Sequence, residues 1–141
     1  MPLYNKEKHV KRALDSVLNQ TILPYEIIVI DDGSTDNGTE IVKNGYNKKQ
    51  IILIQQENAG VSIARNNAIK QSTGDFIAFL DADDEWKPAY LETIHKIIKQ
   101  FPDCAAFATS YSMIMHGYEK VVSHGLNGII KDYFKIGNKR S

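Results

Sequence analysis

Cysteine is almost missing: Cys104 is the only one in 141 residues, which excludes an internal disulfide and any zinc site built on several thiolates. It precedes an apolar run and reads as a buried structural thiol. Excess charge is missing too. Lys and Arg number 17 and Asp and Glu number 17, so there is no global basic field of the kind that draws in nucleic acid or anionic lipid. No nucleic-acid partner is expected. No run approaches the ~20 apolar residues of a membrane-spanning helix. Met1 leads straight into Pro2-Leu3-Tyr4-Asn5 without the basic-then-apolar pattern of a secretion signal, so a cytoplasmic location is expected. Low-complexity linkers and internal repeats are absent as well. With 43% hydrophobic and 24% charged residues, the chain is expected to form one compact domain.

What is present is an alternation of strand and helix patterns. Asn5 reads as the cap of a helix with Val10, Ala13, Leu14, Val17 and Leu18 on one face, ending near Gln20 ahead of Pro24. Glu26 to Asp31 is a short β-branched run, nearly all apolar, as suits a strand covered on both faces. Asp32-Gly33-Ser34 closes it as a turn. A helix over Asp36–Lys43, a strand over Ile51–Ile54 and a helix over Val61–Gln71 follow. Phe76–Leu80 reads as another strand, and Pro88 opens a helix with Leu91, Ile94, Ile98 and Phe101 on its apolar stripe. Ala105–Ser110 reads as a further strand. Beyond Met115 the glycines Gly117, Gly125, Gly128 and Gly137 suggest a loop-rich segment.

This order predicts βαβ units with right-handed crossovers, and hence a three-layer α/β/α, Rossmann-like, mostly parallel sheet. Ligands of such sheets bind beyond the carboxyl ends of the strands. Two of those ends carry acid clusters, Asp31-Asp32 and Asp81-Ala82-Asp83-Asp84. Hard carboxylate oxygens suit Mg²⁺ or Mn²⁺, with water and substrate phosphates completing the shell. Read alone, Asp81-Ala82-Asp83 fits an Asx-type cap better than a metal site, with Asp84 better placed than Asp83 to cap the helix near Pro88. Asp31-Asp32-Gly33-Ser34 alone fits a polar turn, though its carboxylate could also accept the N–H of a pyrimidine base. Arg65 could be a solvated helix residue or a cation for a diphosphate, and Tyr4 could pack or stack on a flat base. An EF-hand fails because Trp86 stands where glycine is needed. A Walker loop fails because Gly33 to Gly38 is followed by Thr39 with no lysine, and no G-x-G-x-x-G is present.

Taken together and in order, these segments resemble the nucleotide-sugar half of a family 2 glycosyltransferase with the GT-A fold. The residues that carry the resemblance are Pro2-x-Tyr4-Asn5, Ser16-x-x-x-Gln20-Thr21, Glu26 to Asp36, Asn58-x-Gly60 with Ala64-Arg65-Asn66, Gly74 to Ile77, and Leu80 to Asp84. It implies a donor-binding part over residues 1–110 and the start of an acceptor part over 111–141 of a single, incomplete GT-A domain. It implies that Pro2 and Tyr4 border the base and that Asp32 hydrogen-bonds it. Asn58 would complete the base or ribose contacts, with Arg65 near the ribose-phosphate. Asp81 would contact ribose or donor sugar, and Asp83 would hold Mn²⁺ or Mg²⁺. The implied reaction is an inverting transfer from a nucleotide diphosphate-sugar, expected to be a UDP-sugar, to a glycan or lipid-linked acceptor.

Two departures from the family pattern belong with this reading. The short apolar strand that precedes Pro-x-Tyr-Asn is clipped, which predicts an exposed sheet edge and favours homo-oligomers. The general base of such enzymes, usually an Asp roughly 90 residues beyond the metal motif, is expected past Ser141. His116, His124 and Asp132 are not nominated in its place. A nucleotidyltransferase is disfavoured because Met1 to Arg12 contains no glycine for a phosphate loop. The full enzyme is expected to work at the cytoplasmic face of the membrane.

Overall fold

The computed structural model describes residues 1–47, 51–115 and 117–123. Met1–His95 forms one compact unit, and a second begins at Lys96. In chain order the elements are β1 (Pro2–Leu3), α1 (Val10–Leu18), β2 (Ile28–Asp31), α2 (Gly38–Gly45), β3 (Ile52–Gln55), α3 (Val61–Gln71), α4 (Tyr90–Gln100), β4 (Tyr111–Met115) and β5 (Tyr118–Val122).

Strand β2 is the middle of a parallel three-stranded sheet ordered β1-β2-β3, with Ile30 opposite Pro2 on one side and Ile54 on the other. All of its residues are buried, as its Ile-Val-Ile run predicts for the first three; the fourth is Asp31. Alternate side chains face opposite ways along a strand, so β2 feeds two cores. Val29 packs with Leu3, Val10, Leu14, Val17 and Val42. Ile28 and Ile30 pack with Ala64 of α3. Truncating a fully buried residue such as Leu14 in such a core costs about 2–5 kcal/mol. Among the described residues no helix is long and apolar enough to cross a membrane.

Several expectations are corrected. Asn5 does not cap α1. The residue preceding that helix is His9, with no side-chain cap bond, while Asn5 sits at φ 50° and its Oδ1 accepts the N–H of Thr35. A short amide at positive φ ties two loops instead of closing a helix end.

Residues 76–80 are not a strand: the backbone bends at 74–76 and runs on without ladder pairing. Among the described residues β1 is an edge strand, with β2 on one side of it. Met1 donates to the Ile28 carbonyl, and the carbonyls of Met1 and Leu3 accept from Ile30 and Asp32, so both residues turn their backbone groups toward β2. Pro2 faces the other way with a carbonyl and no N–H.

The strand expected at Ala105–Ser110 lies instead at Tyr111–Met115, paired antiparallel with Tyr118–Val122. Apart from Phe107 the side chains of 105–110 are small, whereas Tyr111 and Ile114 after them suit a ladder. Gly117, at φ 82°, supplies the tight turn between the two strands, so part of the supposed loop is a hairpin. Gly125, Gly128 and Gly137, like His116, His124 and Asp132, lie outside the described residues. Cys104 is half-buried and unbonded to sulfur, not a core thiol.

Candidate active site

The carboxyl ends of β1 and β2 and the segment around Asp81 border an open cleft of about 420 Å³. That is within the range of small-ligand pockets. Pro2, Tyr4, Asp32, Asn58, Asp81 and Asp83 all line it. Arg65 does not; it lines a shallower recess with Ser62, Asn66, Ile69 and Phe79.

Asp31, the last residue of β2, and Asp32, the residue after it, point opposite ways. Asp31 turns inward: Oδ1 accepts the N–H of Ser34 at 2.9 Å, and Oδ2 accepts the Thr39 hydroxyl at 2.6 Å and the Gln55 amide at 3.1 Å. Burial works to raise its pKa, but these hydrogen bonds outweigh it and hold the carboxyl below the usual carboxylate range. Asp32 turns toward the cleft and organises the opposite wall. Its Oδ1 accepts from the Gln56 amide at 2.7 Å and the Ala59 N–H at 2.9 Å, and its Oδ2 from the Gly60 N–H at 2.9 Å. A carboxylate has roughly four acceptor positions, and these three bonds leave one uncommitted. Gly33 permits this closeness: at φ 75°, a Cβ there would stand 3.0 Å from the Asn58 nitrogen. Asn58 and Tyr4 are exposed on the cleft.

The other acids come paired with cations. Arg65 donates through Nη2 to both oxygens of Asp81, at 2.7 and 2.9 Å, so the arginine is engaged by the acid and not extended into the cleft. Its Nε is buried without a hydrogen-bond partner. Asp83 receives the Lys6 ammonium on Oδ2 at 2.6 Å, and that hydrogen bond holds its carboxyl below the usual range. The Asp83 carbonyl accepts Arg12 Nη2 at 2.6 Å. Lys6, which sequence reasoning missed, also lines the cleft. Burial and the neighbouring charges of Asp83 and Asp81 raise the pKa of Asp84.

Asp84 is not the cap of α4, which starts at Tyr90. That service comes from Gln20, whose Oε1 accepts the N–H of Leu91 while its Nε2 donates to the carbonyls of Ser16 and Lys87. Ser16 Oγ accepts the N–H of Trp86, and the Pro88 carbonyl accepts the N–H of Thr21. The Ser16-x-x-x-Gln20-Thr21 pattern thus clasps the segment that follows the acid cluster onto the end of α1.

Among the described residues no three His, Cys, Asp or Glu side chains cluster to hold a metal by themselves. Asp81 and Asp83 are nonetheless half-exposed, hard-oxygen donors opening on one cleft. That donor set suits Mg²⁺ or Mn²⁺ only when water and ligand phosphates supply most of the shell.

The pattern of Glycosyl transferase family 2 matches residues 1–140. Glycosyltransferase GlyA of Streptococcus pneumoniae is 39% identical over 113 residues, 79% of this chain and 16% of that protein. Chondroitin synthase of Escherichia coli is 33% identical over 129 residues, 90% of this chain and 18% of the synthase. Solved structures of residues 1–349 of S. aureus TarS, in complex with UDP or UDP-GlcNAc, share 34% identity, cover 72% of this chain and superpose with TM-scores of 0.65 and 0.66. This chain spans 31% and 30% of those structures, and less than half the length of either curated relative. The chain belongs to glycosyltransferase family 2, and its sheet and helices are those of a GT-A fold.

Proposed function

We propose that this chain carries the donor-binding part of a glycosyltransferase that moves a sugar, with inversion, from a UDP-sugar to a glycan or lipid-linked acceptor. The observation that carries the reading is the convergence of Asp32, Asp81 and Asp83 with Tyr4 on one cleft at the carboxyl edge of a parallel sheet. The UDP and UDP-GlcNAc complexes of TarS support the choice of donor.

In this reading the Tyr4 ring and Pro2 flank the uracil. The spare acceptor position of Asp32 takes the N3–H that uracil has and cytosine lacks. Asn58 bonds base or ribose. Asp81, oriented by Arg65, meets ribose or donor sugar, and Asp83 holds Mn²⁺ or Mg²⁺. The bound cation offsets the negative charge that grows on the departing diphosphate. No residue of this chain is assigned to deprotonate the acceptor.

Calorimetry with UDP tests the reading. Mn²⁺ should strengthen UDP binding to the wild-type chain, and Asp83→Ala should remove that enhancement. UDP binding indifferent to Mn²⁺, or an enhancement that survives the substitution, refutes the metal assignment, and no UDP binding at all refutes the donor assignment.

A further inference from the structure

Lys6 stands where the donor-binding reading puts a divalent cation. We propose that Lys6 and that cation exchange places: the ammonium neutralises Asp83 until the cation binds, and is then released onto the diphosphate of the donor. This proposal rests on the placement of the cation at Asp83 and goes beyond it by giving Lys6 a binding role.

Three observations support the exchange. The pair is tight but exposed, 2.6 Å apart with side chains 39% and 44% accessible. Such surface pairs contribute only about 0–1 kcal/mol, so a doubly charged ion with phosphate ligands can displace the ammonium. Next, both backbones are anchored independently of the pair. The Lys6 carbonyl accepts the N–H groups of His9 and Val10, and the Asp83 carbonyl accepts Arg12 Nη2. The carboxylate therefore keeps its position when Lys6 leaves, and the flexible lysine stem swings from a fixed pivot. Lastly, the cations beside the acids are already engaged. Among the described residues that line the cleft the one Lys or Arg is Lys6, which answers Asp83, while Arg65 answers Asp81. Exchange supplies both the cation and a freed ammonium to the phosphates.

Mn²⁺ binding, followed by loss of the free-ion paramagnetic resonance signal, and UDP calorimetry on wild type, Lys6→Met, Lys6→Arg and Asp83→Asn test this. Without nucleotide, Lys6→Met should bind Mn²⁺ more tightly by on the order of tenfold, the Coulomb effect of removing a cation a few ångströms from a divalent ion. Lys6→Arg should stay near wild type. With Mn²⁺ saturating, Lys6→Met should bind UDP about tenfold more weakly, the loss of one charge-assisted contact. Unchanged or weaker Mn²⁺ binding by Lys6→Met overturns the competition, and unchanged UDP affinity overturns the transfer to the diphosphate. Asp83→Asn separates the layers. If it loses Mn²⁺ while Lys6→Met matches wild type, only the exchange fails. If it binds Mn²⁺ like wild type, the cation is not at Asp83 and the underlying reading fails with it.

Discussion

Asp31 and Asp32 are adjacent in sequence and opposite in duty. The buried Asp31 takes donors from Ser34, Thr39 and Gln55 and serves the fold; Asp32 holds the cleft wall. Because the folded-state pKa of Asp31 lies below its unfolded value of about 3.9, the folded chain binds fewer protons there than the unfolded chain. Its contribution is present above that unfolded value and is lost as pH falls through the folded one. Asp31→Asn should therefore lower stability at pH 7 by about 1–3 kcal/mol. The gap to wild type should narrow as urea midpoints are followed from pH 5 to pH 2. A gap that does not change over that range would show that the charge of Asp31 contributes nothing. The acid clusters were legible in the sequence only through their order among the other segments, because each alone also fits a cap or a turn, and the run before Asp81 is not the strand it resembles. The partnerships were not. Arg65 and Asp81 lie on different segments and meet only through the fold. Lys6, between Asn5 and Glu7, looks like any solvated lysine until Asp83 is beside it.

Between elements, the clasp from α1 to α4 depends on one buried amide. Gln20 is 6% exposed and bonded at both ends of its side chain. Gln20→Leu keeps the bulk but strands the N–H of Leu91, and should cost about 1–3 kcal/mol in chemical denaturation. Amide exchange at Trp86 and Leu91 should quicken more than in β2. Uniform loosening throughout the Met1–His95 unit would argue against a local clasp. Helix α1 and the cores on both faces of β2 follow from apolar spacing alone, since burial is what that spacing encodes. Residues 76–80 and 105–110 misled because apolar composition reports a wish for burial, not the presence of a partner edge. Pro2 removes the donor on one side of β1, and the bulkier side chains of 111–115 take the ladder that 105–110 were expected to form.

Across the molecule, the parallel sheet brings sequence-distant segments to one rim: the end of β1, the end of β2, the loop before α3 and the acid cluster near Asp83. The loop before α3 is the wall that Asp32 holds, through Gln56, Ala59 and Gly60, with hydrogen bonds made entirely within the chain. That arrangement has a kinetic meaning. A wall already in place gives up its conformational freedom during folding, so an arriving nucleotide meets a formed surface and little ordering is left to accompany binding. Stopped-flow mixing with a fluorescent UDP analogue should give a single exponential whose rate climbs linearly with concentration. A rate that levels off would reveal a slow rearrangement before or after capture. Asp32→Ala, which frees the loop, should introduce that plateau, turning a one-step encounter into one that waits on the protein.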